Sequence, residues 1–155
     1  MIEIIAVLIV IGIVAAVAIG SVMGTSDSGR ISQESVIKNN IRFAQSMAMK
    51  RGAIWGIKSN GVAYWLFRTN DPDTLANQVA LPNEGNAQIS LADKGIALTA
   101  FTVFFDGNGR PYTAYTDATT NVPVAAPLVL TVGSLPAGSA SSGTFSLAPE
   151  TGFIP

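Results

Sequence analysis

Between Ile4 and Ile19 the chain carries no polar side chain, and the apolar character continues to Met23. A helix advances about 1.5 Å per residue, so about 20 such residues match the roughly 30 Å hydrocarbon core of a bilayer. A single carboxylate, Glu3, stands at one end of this run. Near the bilayer centre a carboxylate costs on the order of 3 kcal/mol, so Glu3 needs a specific cationic partner. Ala16-Val17-Ala18 has the small-x-small form of a cleavage site, but an acid stands where a secretory signal has its basic region. The run therefore reads as a retained segment, either a plain membrane anchor or a helix that packs among other apolar helices.

The roughly 130 residues that follow suffice for one compact domain. The chain has no cysteine and no histidine, which removes disulfides, thiolate sites and the commonest general base and metal ligand. No Ser, Asp or Lys arrangement suggests catalysis, so the reading is non-enzymatic, without a cofactor. A net charge of −1 lacks the basic excess of a nucleic-acid binder.

Glycines and hydroxyl residues from Gly20 to Gly29 weaken helix propensity and predict a flexible or partly melted stretch. From Arg30 the helical pattern returns: Ile37, Ile41, Ala44 and Ala48 share one face, widened by Val36, Phe43 and Met47. Lys50 and Arg51 meet the helix C-terminal dipole, and Gly52 supplies the stop. Beyond it the period changes to that of strands. Residues 53–58 and 62–68 flank Ser59-Asn60-Gly61, a hairpin signal, and 69–86 reads as a long loop. Further strands are predicted at 88–91, 96–98, 102–106, 111–115, 128–132 and 144–147, with a loop over 116–127 and a Gly/Ser stretch over 138–143. Three units result: a hydrophobic transmembrane or filament-core helix over 1–24, an amphipathic helix over 25–52 and a β-sheet head over 53–155. The expected class is α+β, a long N-terminal hydrophobic helix packed on an antiparallel sheet. Charge divides between stalk and head: residues 25–52 carry +3 and residues 53–155 carry −3. Basic Arg30, Lys38, Arg42, Lys50 and Arg51 are thus candidate contacts to the acidic head of a neighbouring subunit.

The opening run, with its single glutamate, mid-run Gly12 and Ala15-Ala16 pair, resembles the N-terminal segment of type IV pilins and type II secretion pseudopilins. Residues 40–52, Phe104 to Pro111 and Phe145 to Ile154 resemble the H-type minor pseudopilins. The resemblance implies the pilin fold, removal of a basic leader by a prepilin peptidase, and methylation of the new N-terminal amine. It also implies that Glu3 pairs with such an amine on the adjacent subunit during assembly. The sequence begins just short of the family's processed N-terminus, and Gly20 stands where many pilins have a helix-kinking proline. Local melting would then depend on Gly12, Gly20 and Gly24.

Three other features could carry a site. Asp106-Gly107-Asn108-Gly109 has oxygen ligands and glycines, but not the alternating acids and distal glutamate of a calcium loop, so Asp106 and Asn108 are weak metal candidates in a hairpin turn. Trp55, Tyr64, Trp65 and Phe67 either stack a ligand or alternate between the core and a subunit contact. The Ser/Thr cluster over 139–144 suits a solvated loop or O-linked sugar. The expectation is a structural subunit of a type IV pilus-like filament, assembled with copies of itself by inner-membrane machinery. It is held in the bacterial inner membrane before assembly and forms an extracellular filament afterwards. The alternatives are a minor H-type pseudopilin in a periplasmic pseudopilus, and an anchored periplasmic binding domain.

Overall fold

A computed structural model describes the backbone of residues 2–82, 84–135 and 141–155, with side chains described for these except 2 and 16–27. Helix α1 is assigned over Ile2–Arg51. Its side chains are described in two stretches, 3–15 and 28–51, and these behave differently. In the second, Ile37, Ile41, Ala44 and Ala48 are at most 1% exposed, so the i, i+4, i+7, i+11 stripe is the buried one. Gly52 then takes a left-handed φ of 59°, which a residue without Cβ adopts at little cost, and Ala53 N–H donates to the Ala48 carbonyl.

Ten strands follow among the described residues. Strand β1 (Trp55–Ser59) is central in the larger antiparallel sheet, flanked by β2 (Ala63–Arg68) and β6 (Phe101–Phe105). Beyond β2 lie β3 (Gln78–Val79) and β4 (Gln88–Ser90), paired to successive parts of its edge. Beyond β6 lie β7 (Pro111–Tyr115) and β8 (Asn121–Pro123). A second sheet has β9 (Leu128–Ser134) between β10 (Ser142–Leu147) and β5 (Ile96–Leu98). The second half of α1 touches both sheets, β1 and β6 of the larger and β9 and β10 of the smaller. Its stripe meets Ile57, Leu66, Val103 and Phe105 from one and Leu130, Val132, Phe145 and Leu147 from the other, forming a single core. Burying each such side chain contributes about 1.5–3 kcal/mol, so this docking, rather than helix propensity, holds the domain together.

The expected pilin fold, a long N-terminal hydrophobic helix packed on the sheet, is not what the structure has. The described apolar stretch is only about 13 residues, and none of its large side chains packs on the head: Ile4, Leu8 and Val14 are 67, 63 and 62% exposed. No helix among the described residues is long and apolar enough to cross a membrane. The sheet is packed by the amphipathic stretch instead, because only there does an apolar stripe alternate with polar positions that tolerate solvent. Of the expected melted stretch, Gly20 to Asp27 lies outside the described side chains, while Ser28 and Gly29 are helical.

The aromatic strand residues also divide differently from the expectation. Trp55 and Tyr64 enter the helix-facing core, whereas Trp65, Phe67, Phe104 and Tyr112 form a second buried cluster. There Phe67 and Phe104 meet edge to face at 5.0 Å, and the Trp65 indole N–H donates to the Pro72 carbonyl at 2.7 Å. The loop after β2 thus supplies the acceptor an indole needs when buried, and this face is closed by the chain itself.

Candidate assembly surface

The apolar stretch of α1 presents Ile4, Ile5, Val7, Leu8, Ile9, Val10, Ile11, Ile13 and Val14, each 56–67% exposed. They lie all around the helix, as expected of a segment surrounded by apolar matter rather than resting on one surface. Glu3 lies in the first turn and is exposed, where the helix dipole favours an anion. Gly12 faces open space, so a Cβ there would meet nothing within 4 Å. Gly20 and Gly24 lie outside the described side chains.

The five basic residues expected to reach a neighbour separate into two groups. Arg30 donates to Ser141 Oγ at 2.8 Å and to Glu34 Oε2 at 2.9 Å, and Lys38 pairs with Glu34 Oε1 at 3.3 Å beside the Phe145 ring. Arg42 donates to the Ile154 carbonyl at 2.7 Å. These three tie the helix to its own head. Lys50 and Arg51 are exposed, and among the described residues their side chains have no hydrogen-bond or ion-pair partner.

Helix, turn and C-terminal segment converge at one place. Gln45 Nε2 donates to the carbonyls of Gly109 and Thr151, at 2.9 and 2.7 Å. A Cβ on Gly107 would lie 3.2 Å from Gly52 Cα, and one on Gly152 would lie 2.7 Å from Gln45 Nε2. Parts of residues 40–52, of the turn after β6 and of the C-terminal segment therefore meet in one contiguous cluster.

The geometry of the Asp106 turn accounts for its carboxylate fully. Oδ1 accepts from the Asn108 and Arg110 N–H groups, each at 2.9 Å, and Oδ2 from the Tyr112 hydroxyl at 3.0 Å. Burial and this bond to a carboxylate push the Tyr112 hydroxyl above its ordinary range. No group of three or more acidic residues suited to a metal occurs among the described residues. Asp106 and Asn108 form the turn between β6 and β7, with Gly109 at φ 79°. Residues 139 and 140 of the Ser/Thr cluster lie outside the described residues. No protein-family model, curated protein or solved structure matches the chain.

Proposed function

We infer that the chain is a non-enzymatic structural subunit that polymerises with copies of itself into a type IV pilus-like filament through its apolar N-terminal segment. The observation that carries this reading is the set of nine large aliphatic side chains between Ile4 and Val14, each more than half exposed and bounded by Glu3. Full burial contributes about 1.5–3 kcal/mol per aliphatic side chain. Nine of them outweigh the several kcal/mol that an unpaired Glu3 carboxylate costs in an apolar bundle, and a neighbour's N-terminal amine removes even that cost. Prepilin peptidase and an inner-membrane assembly apparatus belong to the same proposal, with the filament outside the cell.

The cluster formed by Gln45, Gly109 and Thr151 favours a second reading, a minor H-type pseudopilin of a secretion system. The two readings differ in abundance. Expressed with a leader peptide in a pilus-assembling host, the chain should appear repetitively along filaments, and Glu3→Ala should lower filament number about tenfold or more. Occurrence at tips only selects the second reading. Membrane retention with no effect of Glu3→Ala on any assembly overturns both.

A further inference from the structure

The end of the larger sheet nearest the helix C-terminus holds a cavity of about 660 Å³. Its lining is mainly apolar: Trp55 and Val79, which pack together on the helix-facing side, border it with Ile54 and Tyr115, and Arg51 and Arg68 border it as well. This is within the size range of small-molecule sites, which combine an apolar lining with a few polar groups. Four separate parts of the chain meet there: the helix end, the β1–β2 pair, the short edge strand β3 and the end of β7.

The charge of this cavity is uncompensated. Among the described residues no carboxylate lines it. The side chain of Arg51 has no partner among the described residues, and Arg68 makes only a long 3.5 Å contact to the Ala76 carbonyl. Asp71 and Asp117, close in sequence to the rim, are spent on their own turns. Asp71 accepts from the Thr74 hydroxyl at 2.7 Å and from the Asp73 and Thr74 N–H groups. Asp117 accepts from the Thr119 hydroxyl and N–H and the Thr120 N–H, all within 2.8 Å.

The rim is also held in shape. Thr69 has φ 74°, a conformation β-branched residues rarely adopt, and its N–H donates to the Ile54 carbonyl at 3.0 Å. Asn70 Nδ2 donates to the Thr116 carbonyl at 2.9 Å, joining the two loops that border the cavity. Such strain is characteristic of ligand sites, where the surroundings over-determine it.

We propose that this cavity binds a small aromatic carboxylate, its ring against Trp55 and Val79 and its carboxylate between Arg51 and Arg68. Guanidinium groups match the planar two-oxygen geometry of a carboxylate, and an aromatic floor favours a flat body over a compact, fully hydrated anion. The inference is independent of the filament reading, because none of these residues belongs to the apolar segment.

The test uses the full ¹⁵N-labelled chain in neutral detergent micelles, titrated with N-acetyl-phenylalanine, its neutral amide, or inorganic phosphate at matched ionic strength. The acid should give saturable shifts at the Trp55 indole N–H, assigned with Trp55→Phe, and at the Thr69 and Tyr115 amides. The amide should bind about tenfold more weakly, and phosphate should not saturate the site. Arg51→Gln and Arg68→Gln, whose unchanged spectral dispersion verifies the fold, should each weaken the acid about three- to tenfold. Equal binding of acid and amide, saturation by phosphate alone, absence of saturable shifts, or unchanged affinity in both variants overturns the proposal.

Discussion

Tyr64 carries a phenol into the core between helix and sheet, where Asn40 Nδ2 donates to its oxygen at 3.2 Å. Burial is the largest influence on this group and pushes its pKa up to about 12, against the opposing effect of the Asn40 bond. A raised pKa means that the folded state favours the protonated phenol. Its contribution to stability is complete below about pH 10, where an unfolded tyrosine also keeps its proton, and is lost as pH rises toward about 12. The urea midpoint, followed by circular dichroism, should therefore fall between pH 10 and 12. Tyr64→Phe should remove part of that fall while lowering stability at pH 7 by about 1–3 kcal/mol, because Asn40 is left unpaired. A wild-type midpoint flat to pH 12 refutes this. Nothing in the sequence around Asn40 marked it as Tyr64's partner, since a helical pattern locates faces but not which polar side chain finds a partner 24 positions away. The Asp106 turn was more legible, because Asp, Asn and Gly act through bonds to their own neighbouring backbone.

Strands with alternating or aromatic sequence were readable as such, with β5 and β7 lying where their patterns predicted. The edge strands β3 and β8 were not, because two or three residues are too few to display a period and they sit inside polar loop sequence. Close packing of elements depended on glycines whose role no local pattern reveals. A Cβ on Gly56, in central β1, would collide with the Val103 carbonyl and the Phe67 ring, a backbone atom and a buried side chain that cannot withdraw. One on Gly143, in β10, would collide instead with the Arg30 guanidinium and the Glu34 carboxylate, the mobile ends of flexible side chains. Gly56→Ala should thus destabilise by about 3 kcal/mol or prevent folding, whereas Gly143→Ala should cost about 1 kcal/mol and release the Arg30–Ser141 bond. Denaturant midpoints compare the two directly. Equal effects would contradict this account of how β1 and β10 are packed.

As a whole the molecule joins a closed head to an open apolar segment. The sequence made the segment conspicuous and the amphipathic stripe clear. It did not reveal the bonds that Arg30, Lys38 and Arg42 make within the chain, whose acceptors or neighbours (Ser141, Phe145 and Ile154) lie more than 100 positions away. The cavity beside Arg51 and Arg68 was invisible for the same reason: its lining is scattered from Arg51 to Thr116 and joins only when strands pair. If the apolar segment is the assembly surface, one charge in its middle must be buried unpaired. Leu8→Glu should then reduce the sedimenting assembled fraction about tenfold or more while leaving the denaturation midpoint of the head within about 0.5 kcal/mol. Unchanged sedimentation would exclude the segment from the interface.

The Gln45 and Arg42 bonds have a mechanical meaning. Together they join the end of the helix to the β6–β7 turn and to the last residues of the chain, through three acceptors on two segments. Tension along the helix axis would load these bonds and the buried stripe in shear, all at once, rather than peeling them apart one at a time. A subunit pulled by its apolar end would pass that force into both sheets, into β10 through Arg30 and Lys38 and into the centre of the larger sheet through the buried stripe.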